Sequence, residues 1–234
     1  MQLKIVGLSV VALAASTFAA LLHAAAPSQG LSVDIASPAV GSRAPWGSQV
    51  PYAVTVSYDG KSTKFGEIPS NQVVLRAVFA ANADSAPAAG VLPDGVAEIS
   101  RSNCSGCHDF AAASAGPSFA AIARRYAGKG GAAATLADHI RNGSHGAWGG
   151  GTMPPHPEIS AAQATAIAQW IVSQAGSSSV QYAIGRTGTF RMNATGKPGP
   201  HAGTVLSAFY TGPLKPGDKR GPASGRNTLA VHGS

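Results

Sequence analysis

Cysteine is almost absent from this 234-residue chain, which has two. Two thiols cannot supply a four-thiolate zinc site, nor the several bridges of a small secreted disulfide scaffold. Charge is scarce too. Asp, Glu, Lys and Arg make up 12% of the residues, which excludes a coiled coil or a long solvated helix. Aromatic residues are 6%, so any core is built mainly from Ala, Val, Ile and Leu. Beyond Leu22 no stretch is long and apolar enough to span a bilayer, so the mature chain is expected to have no transmembrane span.

What is plentiful is glycine (29) and proline (16), a composition of loops and short strands. At the start, Lys4 precedes an apolar stretch from Ile5 to Leu22. Ala24, Ala25 and Ala26 follow, then polar sequence opens at Pro27. This order of charge, apolar run and small residues is that of a secretory signal over residues 1–26, cleaved at 24–26. The alternative is an uncleaved anchor. Export implies a periplasmic or secreted protein.

The net charge of +7 is unevenly placed. Acids and bases balance in residues 27–86 and again in 87–176. Beyond 176, seven bases stand against Asp218 alone. Such a tail either steers the protein toward an acidic docking surface or is simply solvated. Nucleic acid is excluded as a partner for an exported chain with few aromatics among its bases.

Three stretches follow the signal. In residues 27–86, Leu31, Val33 and Ile35 alternate with polar or small neighbours, Tyr52, Val54 and Val56 share one face, and Val73–Phe79 is apolar. Period-two runs broken by Gly and Pro predict antiparallel strands. Residues 82–93 read as a linker within the boundary between this stretch and the next. Residues 87–176 turn helical, at Asp94–Asn103, Phe119–Tyr126, Thr135–Arg141 and Ser160–Ser173. The last carries a capping box, Ser160 with Gln163, and an apolar stripe of Ala164, Ile167, Ala168 and Ile171. Residues 177–234 return to strands at Thr189–Met192, Val205–Tyr210 and Thr228–His232. Neither β segment can bury a core alone. The expectation is therefore a mixed fold: an all-α domain flanked by β-rich segments that pack together as one sandwich.

Both cysteines fall in Cys104-Ser105-Gly106-Cys107-His108. This is the C-x-x-C-H pattern of covalent c-type haem attachment. Each thiol can add to one haem vinyl group, and the adjacent histidine can then donate a ring nitrogen to iron. A zinc site, a redox dithiol and a structural disulfide compete; each lacks its usual context here, namely a second ligand pair, a βαβ unit or a long loop to close. Downstream, Met153 lies in Gly149-Gly150-Gly151-Thr152-Met153-Pro154-Pro155, a loop setting that core filling explains poorly. Met192 reads as strand packing; His139, His145 and His156 are each ordinary surface residues taken singly.

Residues 92–174 resemble a small bacterial class I cytochrome c. The resemblance rests on the C-S-G-C-H motif, Gly116-Pro117-Ser118-Phe119, Asn142-Gly143-Ser144-His145-Gly146-Ala147-Trp148-Gly149, Met153-Pro154-Pro155 and Gln169-Trp170-Ile171. It implies one covalent haem c on Cys104 and Cys107, with His108 and Met153 on iron. It also implies a Pro117 carbonyl bonded to the His108 ring, and Phe119 and Ile122 lining the pocket. Trp148 would lie near a propionate, Trp170 where the first and last helices cross, and His139 where relatives often carry arginine. A closed His/Met iron suits electron transfer rather than catalysis. The partners implied are redox proteins: a dehydrogenase as donor and a terminal acceptor. The β segments resemble flanking modules of multidomain periplasmic dehydrogenase-associated cytochromes, so an electron-entry subunit is one alternative. A carbohydrate- or protein-binding β module with an accessory haem is another, with Trp46, Tyr52 and Tyr58 as its candidate aromatic platform.

Overall fold

The computed structural model describes residues 30–64, 66–86, 90–177, 179–213 and 225–234, with side chains in the last stretch from residue 230. The signal reading of residues 1–26 therefore lies outside the described residues. Among those described, no helix is long and apolar enough to cross a membrane.

Five strands precede the helices: β1 (Leu31–Ser37), β2 (Arg43–Ala44), β3 (Gln49–Tyr58), β4 (Lys61–Ser62) and β5 (Val73–Ala80). Then come α1 (Asp94–Arg101), a 3-10 turn at Asn103–Gly106, α2 (Phe119–Tyr126) and α3 (Ala132–Asn142). A short hairpin of β6 (Ser144–His145) and β7 (Thr152–Met153) leads into α4 (Ala161–Ser173). The chain closes with β8 (Val180–Ile184), β9 (Thr187–Arg191), β10 (Gly203–Tyr210) and β11 (Gly225–Gly233).

The sheets draw on both flanks. One has β3 paired to β1, with β4 and β9 on opposite ends of β3; the other runs β2-β11-β10-β5-β8. β10 is the central strand of the second sheet. It pairs in register with β5 from Gly203↔Ala80 to Tyr210↔Val73 and is buried along its whole length. The alternating residues foreseen in the sequence explain the packing. Val33, Val54 and Val56 of the first sheet share a core with Leu75, Ala77, Leu206 and Ala208 of the second. Met192, fully buried, closes this core just past β9, as its strand context suggested.

Three details depart from the sequence reading. The strand β8 was not foreseen, because Val180–Ile184 is only half-buried and shows no clean alternation. The pairing of β2 with β11 is parallel, where an antiparallel arrangement was expected. The linker is partly tied down: Ala83 is buried and its N–H donates to the His201 carbonyl at 2.8 Å, while Asp84 meets both His201 and His232.

The helices begin and end for local reasons. Ser118 Oγ accepts from the Ala121 N–H at 3.1 Å and starts α2. The predicted capping box at α4 is formed, with Gln163 N–H to Ser160 Oγ at 3.3 Å and Ser160 N–H to Gln163 Oε1 at 3.0 Å. Gln163 then donates to Glu98 at 2.8 Å and fixes the start of α4 against α1. The two helices cross where Gly95 faces the Trp170 Cβ and the Ala166 carbonyl; a side chain on Gly95 would collide with both. Trp170 thus sits at the crossing that the family resemblance implied.

Candidate haem site

The attachment motif wraps into a tight turn. The N–H groups of Cys107 and His108 both donate to the Cys104 carbonyl, at 3.2 and 2.9 Å. The Cys107 carbonyl then accepts from the Gly116 N–H at 2.7 Å, so the loop 108–116 doubles back over the motif. Asp109 Oδ1 holds the loop's turn by accepting from the N–H groups of Ala111 and Ala112, at 2.8 and 2.9 Å. Its backbone carbonyl and that of Phe110 receive the first N–H groups of α2, from Phe119 and Ala120. The motif, the loop and α2 therefore form one hydrogen-bonded unit.

His108 sits in the middle of that unit. Its Nδ1 meets the Pro117 carbonyl oxygen at 2.6 Å, and its ring stacks on Phe119 with centroids 5.5 Å apart and planes 29° apart. Since a carbonyl only accepts, Nδ1 carries the proton and Nε2 is left as the lone-pair nitrogen. Gly116 forms the other wall. A Cβ there would stand 2.6 Å from His108 Cε1 and 2.9 Å from Nδ1. Gly116→Ala is accordingly expected to destabilise the haem-loaded protein by about 1–3 kcal/mol, the usual cost of overpacking. A thermal melt checks it; an unchanged midpoint would mean that the ring moves aside freely.

Met153 is half-buried and packs against the helical core, as does Cys104. The hairpin of β6 and β7 puts it there, pairing Ser144 with Met153 and His145 with Thr152, and His145 Nδ1 lies 2.8 Å from Thr152 Oγ1. Cys104 and Cys107 form no disulfide with each other, so both thiols are available for attachment, and before attachment burial pushes the Cys104 thiol up to about 11. Phe119 and Ile122 are buried in the same helical core. His139 is half-buried on α3. Trp148 lies in the loop between β6 and β7. It is 38% exposed, with the Arg125 guanidinium carbon 4.6 Å from its ring centroid. That cation–π contact is not legible in the sequence, because nothing in the spacing of residues 125 and 148 links them.

These side chains fit a haem. A tautomerically fixed imidazole walled by a glycine, a thioether on the short hairpin and two unpaired cysteines in the turn that precedes the imidazole are the donor set of a c-type centre. The helical part of the chain is a cytochrome c domain.

Comparison with known proteins specifies it further. Residues 92–171 match the family model for cytochrome c oxidase, cbb3-type, subunit III. Cytochrome c-551 of Stutzerimonas stutzeri is 41% identical over 80 residues, spanning 34% of this chain and 76% of that protein. Cytochrome c-552 of Hydrogenobacter thermophilus is 43% identical over 70 residues, spanning 30% of this chain and 70% of its own length. The crystal structure of Nitrosomonas europaea cytochrome c552 aligns at 41% identity, covering 32% of this chain and 94% of that one, with a TM-score of 0.32. The chain belongs to the class I monohaem cytochromes c, of the c-551/c-552 kind, through residues 92–171. It carries covalent haem c and is an electron carrier, with its two cysteines at 104 and 107.

The aromatic platform that a carbohydrate-binding β module would need is not formed by the candidates. Tyr52 is 3% exposed with its hydroxyl donating to the Gly185 carbonyl, and Trp46 packs on Phe79 at 5.9 Å. Tyr58 is engaged with Tyr210, its hydroxyl 3.0 Å from that of its partner.

Proposed function

We propose that this protein is a periplasmic or secreted carrier that takes single electrons from a dehydrogenase and passes them to a downstream acceptor. Cys104 and Cys107 would hold the haem by thioethers, and His108 Nε2 and the Met153 sulfur would bind its iron. The observation that carries this reading is the 2.6 Å contact of His108 Nδ1 with the Pro117 carbonyl, which leaves Nε2 free to bind a metal. When bound, the haem supplies one-electron chemistry at low reorganisation. The chain's own residues do the rest. Pro117 and Gly116 fix the imidazole plane, and the strong Nδ1 hydrogen bond raises ligand basicity. The hairpin of β6 and β7 presents the thioether. Phe119 and Ile122 exclude water from beside the ring. The signal-like residues 1–26 fit export, which thioether formation of this type requires.

The test is a haem stain on a denaturing gel with an optical spectrum of periplasm-expressed protein. Cys104→Ala with Cys107→Ala is expected to lose the stain entirely. A wild-type protein that runs colourless would end the carrier reading.

The basic C-terminal segment is proposed as a docking element for an acidic redox partner, but it is not a free tail. β11 lies within it, and Arg186 and Arg191 are tied to backbone carbonyls of Lys64 and Gly47. Deleting residues 215–234 would tear out a strand, so charge is the better variable. Lys215→Gln, Lys219→Gln and Arg220→Gln together are expected to slow electron exchange with an acidic partner at low salt, with the difference vanishing at high salt. Stopped-flow rates across ionic strength decide it; an equal loss at all salt concentrations would assign the effect to folding.

A further inference from the structure

The second sheet buries one face against the first sheet and the other against the cytochrome domain. Val74, Tyr182, Ile184 and Phe209 belong to the same apolar cluster as the helical core. Polar contacts pin the seam. Ser100 Oγ and Thr211 Oγ1 are 2.7 Å apart and buried, Asn71 Nδ2 donates to the Ser100 carbonyl at 2.8 Å, and Arg101 Nε donates to the Thr211 carbonyl at 3.2 Å. Six of these contact residues, namely Asn71, Val74, Tyr182, Ile184, Phe209 and Thr211, lie outside residues 92–171, the segment shared with the cytochromes.

Tyr182 has the most specific place in the seam. Its ring lies 5.5 Å from Phe110 and 5.6 Å from Trp170, centroid to centroid. Phe110 lies 5.5 Å from Phe119 and 5.6 Å from Trp170, and Phe119 lies 5.5 Å from His108. Rings thus run in unbroken contact from β8 to the imidazole. His108 is held by Gly116 and Pro117 on one side, and Phe119 is its support on the other. Phe119 is braced by Phe110 and by Trp170, at 6.0 Å, and both of those rest on Tyr182.

We propose that Tyr182 is a positioning residue for the iron-binding imidazole, acting through Phe110 and Phe119, so that the β unit is a structural wall of the haem pocket. Close-packed rings pass on a displacement because there is no free volume to absorb it. Removing the Tyr182 ring uncovers Phe110 and Trp170 together, lets Phe119 tilt, and frees the His108 plane to turn about its bond to Pro117. The inference rests on His108 being an axial ligand.

The experiment uses the full-length, haem-loaded protein and three variants: Tyr182→Ala, Tyr182→Phe and, on the same strand face, Val180→Ala. The readouts are the hyperfine-shifted haem-methyl resonances of the oxidised state, which report the imidazole plane, and the reduction potential. Tyr182→Ala is expected to move both beyond the change seen in Val180→Ala. Tyr182→Phe, which keeps the ring, is expected to restore the wild-type pattern. Should Tyr182→Ala fail to fold or load, Tyr182→Leu keeps bulk without an aromatic face, and the same shifts are expected of it. A folded Tyr182→Ala or Tyr182→Leu protein that matches Val180→Ala in both readouts overturns the proposal. So does a Tyr182→Phe protein that moves as far as the alanine variant, since the hydroxyl would then be the active part. A wild-type protein without imidazole-ligated resonances would instead refute the ligand reading on which this rests.

Discussion

A Met153→Ala protein is expected to keep its covalent haem, lose the weak far-red sulfur–iron band, bind carbon monoxide when reduced, and fall in reduction potential by on the order of 0.1–0.3 V. The magnitude follows from the range of about 0.8 V over which axial ligands set haem potentials. A thioether stabilises the reduced state, so its loss lowers the potential. Attachment is expected to be untouched because Cys104 and Cys107 sit in the turn that follows α1, a different segment of the chain from the hairpin that carries Met153. The hairpin itself should survive, since β6 and β7 pair through backbone groups that alanine retains. Met192 is the matched control. It is fully buried in the β core, away from the hairpin, so Met192→Leu should leave spectrum and potential unchanged and cost less than about 1.5 kcal/mol. Spectroelectrochemistry of the two variants separates the roles. An unaltered far-red band in Met153→Ala would remove Met153 from the iron.

The candidate site can be read from the sequence because its parts are local. The two thiols and His108 lie within five residues, the Pro117 carbonyl lies nine residues on, and Met153 sits in its own hairpin. Contacts of such short reach leave a motif. Helix ends were legible for the same reason: Ser118 and Ser160 cap through atoms three residues away. What could not be read was long-range. Nothing in Gly95 announces that α4 passes against it, and Tyr182 and Arg125 acquire their partners across the fold. β8 was missed because its two faces are both apolar in use. Ala183 turns to the β core while Tyr182 and Ile184 turn to the helices, so the polar/apolar alternation that marks a half-exposed strand is lost.

Separating the two β segments is expected to unfold both. A fragment ending near residue 85 would keep β1, β3 and β5 but lose β9 from the edge of β3 and both neighbours of β5, namely β10 and β8. The apolar faces of Val73, Leu75 and Ala77 would then have no second layer, and the unpaired edges of β5 would invite aggregation. In the intact chain the same physics makes β10 the most sensitive strand. Leu206 is fully buried at its centre, so Leu206→Ala is expected to cost about 2–5 kcal/mol in urea titration. The two measurements address different claims. A cooperative unfolding transition from the isolated fragment would show that the first segment needs no partner from beyond the helices. Limited proteolysis within 87–89 should by contrast leave the two pieces co-eluting, because the eighteen register pairs from β3 and β5 to β8, β9 and β10 would remain to hold them. The helical domain is inserted into a β fold already shared between its flanks, and the seam at Tyr182 and Ser100 then follows from geometry: both chain crossings into the helices leave from strands of the second sheet, β5 and β8.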